Sequence, residues 1–162
     1  MACGFSGRKK AAEESTIHSL PNDLRSSLRR SQGDSEVISA LHGIYSGRDI
    51  SRPPIVLITH SKFLRDIYNM TMRIPKGKVI TYGKLSEHAG FRNAPRAVGN
   101  AMARNPLPLV IPCHRVVRST LQVGNYGSEK SGNSRTKRGL LIREGVQFVG
   151  EKISANSVWD PS

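Results

Sequence analysis

Apolar positions recur at helical spacing along several stretches of the chain, and the places where that rhythm breaks divide it. Val37, Ala40, Leu41 and Ile44 stand at i, i+3, i+4 and i+7, one face of a helix over 35–45, with a weaker helical pattern over 22–30. The Ser-, Arg- and Gly-rich sequence before that helix reads as partly disordered. Arg52-Pro53-Pro54 reads as a linker and Ile55 to Ile58 as a short strand. From Ser61 the pattern sharpens. Ser61 is placed as the N-cap of a helix whose apolar stripe, Phe63, Leu64, Ile67 and Met70, ends before Pro75. Lys76-Gly77 predicts a turn, Val79-Ile80 a very short strand, Thr81 a second cap, and Tyr82 to Ala89 a helix closed by Gly90. Asn93 is expected to cap the next helix, with Pro95 in its first turn and Arg96 to Arg104 continuing it.

Two short helices joined by a Gly-containing turn predict a helix-turn-helix. Its second helix is smooth: Ala94, Ala97, Gly99, Ala101 and Ala103 are small, whereas a helix that reads base edges normally projects long polar side chains. By themselves these residues favour tight helix packing, and a close approach to a backbone or groove wall is the other reading. Beyond Asn105, three prolines and β-branched residues surround Cys113, which predicts an extended, stiff segment. Leu140, Leu141 and Glu144 fall on a last helix closed by Gly145, and Val146 and Phe148 return to the core.

Charge narrows the function. Lys and Arg number 25 against 12 Asp and Glu, a formal net charge of +13, in a chain whose 162 residues accommodate one or two small domains. Residues 61–147 hold 16 basic and 4 acidic side chains, residues 1–60 only 8 and 6. Concentration in one stretch favours a nucleic-acid partner over a merely solvated basic surface. No apolar run approaches the ~20 residues of a membrane span, and the N-terminus lacks a secretory apolar stretch, so an intracellular protein with no membrane partner is expected. Cys3 and Cys113 lie too far apart to suggest a disulfide framework, and Cys3, His18, His42 and His60 show no metal-ligand spacing.

Cys113 and His114 are the candidate chemistry. A thiol is nucleophilic as its thiolate, and an ordinary thiol with pKa near 8.5 is only partly ionised at neutral pH. Neighbouring side chains of an extended segment point to opposite faces, so His114 would take the proton through a bridging water. Glu144, an acid in a basic stretch, is a candidate to orient the other imidazole nitrogen. In isolation a Cys-His pair bounded by proline reads first as a packed core element.

The run Ile111-Pro112-Cys113-His114-Arg115-Val116-Val117 resembles the active-site signature of the O6-alkylguanine-DNA alkyltransferases, the methylated-DNA–protein-cysteine methyltransferases. The resemblance extends from Ser61 to Phe148 through Ile74 to Tyr82, Pro95 to Gly99 with Ala101-Met102, Asn105-Pro106, Val123 to Tyr126 and Arg143 to Gly145, all in family order. It implies a single-turnover DNA-repair methyltransferase without metal or cofactor, in which Cys113 attacks the alkyl carbon on O6 of guanine and keeps it as a thioether. O4-alkylthymine is implied as a further substrate. His114 and Glu144 would activate the thiol, and Tyr82 would hold the rotated phosphate and protonate the leaving guanine. Arg96 would fill the stack vacated by the flipped nucleotide, Ala97 and Gly99 would face the minor groove, and Ser119 would touch the DNA backbone. Asn105 would tie the recognition helix to the active segment, while Pro108, Val116, Tyr126 and Gly127 would line the base pocket.

The implied fold is α+β, with a winged helix-turn-helix-like alkyltransferase domain over 61–150, a tail over 151–162, and residues 1–60 as a shortened, partly disordered region in place of a full ribonuclease-H-like domain. A monomer acting on double-stranded DNA that contains O6-alkylguanine is expected. Gly99-Asn100 stands where many relatives carry two glycines, Gly127 where serine is frequent, and the stretch 127–136 is longer than typical. Two alternatives come from other classes. A non-catalytic alkyltransferase-like damage-binding module would typically lack the cysteine, and a winged-helix transcription regulator would leave Cys113, His114 and Glu144 unexplained together.

Overall fold

The computed structural model describes residues 61–126 and 134–161, and Gly43 besides. The elements expected over 22–30 and 55–58, that over 35–45 apart from Gly43, and the pocket position Gly127 lie outside the described residues.

Helix α1 spans Lys62–Met72, and the Ser61 hydroxyl accepts from the Leu64 N–H at 3.3 Å as the sequence predicts. Its stripe turns Ile67, Tyr68, Met70 and Thr71 inward. Gly77 then takes φ +76°, and a Cβ there would come within 3.1 Å of the Glu144 carbonyl oxygen, so both backbone conformation and space require glycine. Strand β1, Ile80–Thr81, runs directly into helix α2, Tyr82–His88, where the Thr81 hydroxyl caps the Lys84 N–H at 3.3 Å. Helix α3 spans Pro95–Ala103, β2 Val116–Val117, α4 Ser134–Arg143, β3 Phe148–Val149 and β4 Lys152–Ile153.

The architecture is α+β. Strands β1 and β2 pair in parallel, Ile80 with Val116 and Thr81 with Val117. Antiparallel β3 and β4 pair Phe148 with Ile153. The chain beyond β4 returns to β1, where Val79 N–H bonds the Ser157 carbonyl at 2.9 Å and Trp159 N–H the Val79 carbonyl at 2.7 Å. Val79, Val117, Val123, Leu141, Val146 and Ile153 bury themselves together between these pieces, with Phe148 and Val158 against them. Helix α1 is fixed to α3 through the Tyr68 hydroxyl, which donates to the Ala101 carbonyl at 3.0 Å. Among the described residues no helix is long and apolar enough to cross a membrane.

Two local expectations are corrected. Asn93 does not cap α3: it adopts φ +59°, Ala94 occupies the cap position without a side-chain bond, and the Ala94 N–H is bound instead by the Ser86 hydroxyl at 3.3 Å. Asparagine tolerates the left-handed region well, and here that turn-making property prevails over its capping property. The segment around Cys113 is not extended either. Cys113–Arg115 forms a 3-10 turn in which Arg115 N–H bonds the Pro112 carbonyl at 2.9 Å, and Leu109, at φ +72°, folds the preceding loop back on itself. Proline fixes only φ, which a tight turn accommodates as readily as a strand.

Candidate active site

The parallel pairing of β1 with β2 carries the first residue of α2, Tyr82, toward the turn that bears Cys113. Both side chains line a cavity of about 200 Å³, together with Gly99 and Met102 of α3, Arg118, Tyr126 and Lys137. Cys113 is 6% exposed. Burial, and then the charge of Cys113, raise the pKa of the Tyr82 phenol above its ordinary value, so it stays protonated at neutral pH.

Behind Cys113 lies a buried polar network. His114 Nε2 stands 2.9 Å from Glu144 Oε1, with 1% and 6% of the two side chains exposed. Arg115 clamps the same carboxylate with two bonds, Nε to Oε2 at 2.7 Å and a terminal nitrogen to Oε1 at 2.6 Å, and its other terminal nitrogen donates to the Ile74 carbonyl at 2.6 Å. Burial opposes ionisation of Glu144, but the bonds from His114 and Arg115 outweigh it and hold the carboxyl down to about 2. Burial lowers the pKa of His114, against the pull of Glu144, so the imidazole is neutral. An ionised carboxylate at Nε2 fixes the proton there and leaves Nδ1 as the acceptor. Nδ1 is buried with no hydrogen-bond partner among the described residues.

The resemblance also places Lys137 at the start of the last helix, but sequence reasoning gave it no role in the site and missed Arg115 as the clamp. Lys137 lies at the start of α4 with 1% of its surface exposed, donates to the Val116 carbonyl at 2.6 Å and, more weakly, to the Asn125 carbonyl at 3.5 Å, and sits 5.8 Å from the centre of the Tyr82 ring. Burial lowers its pKa to about 8 while the charge of Cys113 pulls the other way. A charged residue flanked by Thr136 and Arg138 looks like helix surface; only the tertiary fold shows that it faces the cavity.

On α3, Val98, Ala101 and Met102 are buried whereas Arg96, Ala97 and Ala103 are exposed. A Cβ added at Gly99 would meet nothing within 4 Å. Most of the small residues therefore make a smooth outer face, and only Ala101 serves packing. Asn105 joins the end of α3 to the active segment: its amide nitrogen donates to the Ile111 carbonyl at 2.8 Å and its oxygen accepts from Leu107 N–H at 3.0 Å. Ser119 is exposed just past β2. Pro108, half-buried and bridged to Ile111, and Val116 are not among the residues lining the cavity; Val116 meets the site through the carbonyl that Lys137 holds.

Residues 62–146 match the sequence profile of the 6-O-methylguanine DNA methyltransferase DNA-binding domain. The chain is 39% identical over 122 residues, 73% of itself and 76% of the relative, to the methylated-DNA–protein-cysteine methyltransferase of Saccharolobus islandicus strain M.16.27. With the protein of that name from Methanothermobacter thermautotrophicus it shares 38% identity over 91 residues, 56% of this chain and 48% of the other, so it spans about half the length of that relative. Among solved structures, Mycobacterium tuberculosis OGT in complex with DNA superposes with a TM-score of 0.61 at 28% identity, over 68% of this chain and 66% of that one. Schizosaccharomyces pombe Atl1 bound to damaged DNA containing O6-carboxymethylguanine gives 0.55 at 27% identity, over 64% and 100%. With more than half its length matching the domain and three quarters of one relative covered, the chain belongs to the 6-O-methylguanine DNA methyltransferase family.

Proposed function

We propose that this chain is a DNA-repair protein that takes the alkyl group of O6-alkylguanine in duplex DNA irreversibly onto Cys113. The observation that carries this reading is the buried thiol on the wall of a cavity, backed by a neutral histidine whose orientation an ionised, doubly clamped glutamate fixes. Helices α2 and α3 are read as the helix-turn-helix of a winged domain, with the smooth face of α3 lying in the minor groove. A base inside the duplex is out of reach of Cys113, so the nucleotide is turned out into the cavity at a cost of a few kcal/mol. Arg96 takes its place in the stack, and Ser119 and the basic surface of 61–147 hold the backbone.

In the cavity, His114 Nδ1 accepts the Cys113 proton through a water, and Glu144 stabilises the imidazolium that forms. The thiolate attacks the alkyl carbon, the bond to O6 breaks, and the electron pair stays on guanine. Tyr82, still a phenol at neutral pH, donates toward the departing base and so improves an otherwise poor leaving group. Tyr126 borders the base, the carbonyls of Cys113 and Val116 receive its amino group, and Asn105 keeps the active segment in register with α3. No metal or organic cofactor takes part, and the protein acts as a monomer. The presence of Cys113 weighs against the damage-binding module as the alternative.

The test is a duplex oligonucleotide carrying O6-methylguanine. One methyl group per protein should be recovered on the peptide that holds Cys113, and Cys113→Ser should retain duplex binding without transfer. Turnover beyond one equivalent, or an unmodified Cys113 after repair, refutes the reading.

A further inference from the structure

We propose that Arg118 and Lys137 make this pocket selective for O6-alkyl groups that carry a negative charge, of which carboxymethyl is the simplest; the proposal rests on the alkyl-transfer reading above. Both cations line the same cavity as Cys113, and among the described residues no acidic side chain does. Lys137 is buried with its ammonium on the carbonyl oxygens of Val116 and Asn125 rather than on a carboxylate. Arg118 lies across Gly124: a Cβ at that glycine would stand 3.3 Å from Arg118 Nε and 3.4 Å from Cγ, so the bare backbone gives the side chain its path along the rim. Tyr82 and Lys137 both feel the Arg118 charge.

The carboxylates among the described residues do not cancel it. Among the described residues none pairs with Arg118, and Glu144 is engaged by His114 and Arg115. Glu151 borders the adjoining groove but faces Arg138 at 3.8 Å with 91% of its side chain exposed.

Charge matters here because the attacking group is an anion. When a thiolate approaches a CH2 that bears a carboxylate, the two negative charges repel, and a cation at the rim offsets that repulsion. A methyl group has no charge for Arg118 to meet. In the reaction the Cys113 sulfur bonds to the CH2 as the CH2–O6 bond breaks, the electron pair remains on guanine, and the proton given up by the thiol is restored to the base. The products are S-carboxymethylcysteine and guanine, with no further reactant.

Single-turnover transfer, with protein saturating three otherwise identical duplexes, tests the proposal. The lesions are O6-methylguanine, O6-carboxymethylguanine and O6-(carbamoylmethyl)guanine, the last a neutral isostere of the second. Carboxymethyl should transfer about fivefold faster than carbamoylmethyl, the ratio that one partly screened charge pair provides. Arg118→Gln should bring that ratio to one or below, because the repulsion between thiolate and carboxylate is then no longer offset, and Arg118→Lys should keep most of it. Equal rates in the wild type, or a ratio that survives Arg118→Gln, overturns the proposal. So does equal slowing of all three lesions by Arg118→Gln, which would make Arg118 a contact to the duplex phosphates. Failure to transfer even methyl would instead refute the alkyl-transfer reading.

Discussion

Replacing Gly99 with alanine sets the fold and the proposed DNA face of α3 against each other. Gly99 lies inside α3, and an added Cβ meets no other side chain or backbone within 4 Å. Glycine in a helix interior is about 0.5–1 kcal/mol less favourable than alanine, so Gly99→Ala should stabilise the protein by about that amount. For a chain of this length that is a rise of about 1–4 °C in Tm. The same methyl group projects from the face proposed to enter the minor groove. If backbone and groove wall are in contact there, accommodating it costs about 1–2 kcal/mol, comparable to overpacking a core. Duplex affinity should then fall about five- to thirtyfold. Thermal unfolding followed by circular dichroism and equilibrium binding to a short duplex at fixed salt measure the two effects separately. A more stable protein with undiminished DNA binding would refute close approach of α3. A less stable one would show that Gly99 packs inside the domain after all.

Two further outcomes follow from the site. Arg96→Ala should slow repair in duplex far more than alkyl transfer from free O6-benzylguanine, which needs no nucleotide flipping; equal losses on both substrates would remove Arg96 from the stacking role. The protein should also be acid-labile. Glu144 is held near 2 in the fold against an ordinary 4.5, so its stabilisation is fully present above about 4.5 and is lost as pH falls toward 2, a change of about 3 kcal/mol. His114, whose neutral form burial favours over an ordinary 6.5, loses stability in the same direction as it is forced to protonate. Urea midpoints measured from pH 7 to 2 should decline together with these titrations, and a flat profile refutes the buried network.

Local signals in the sequence were legible where one residue type has one dominant use. Ser61 and Thr81 sit before apolar rhythms and do cap α1 and α2, and Gly77 marks a turn that takes a positive φ. Asn93 has two uses, cap and left-handed turn, and nothing local decides between them. The turn at Cys113 escaped notice because three prolines suggest stiffness, while the bend depends on Leu109 and on bonds within the loop. Of the site, Cys113, His114 and Glu144 stand out through their rarity in a basic stretch. Arg115 and Lys137 are hidden for the opposite reason: among 25 basic residues, two that turn inward look like the rest until the partners they bury against are in place.

The burial of Cys113 has a consequence for the protein before it ever meets a lesion. On the reading proposed above, each molecule is used once and waits for its lesion, and peroxides and soluble alkylating agents react with any thiolate accessible in the meantime. With 6% of its surface exposed, Cys113 presents almost nothing to them, while it still lines a cavity of about 200 Å³. On that reading the depth of the thiol sets the shelf life of the molecule, and a protein that reaches an alkylated guanine is one that has stayed unreacted until then.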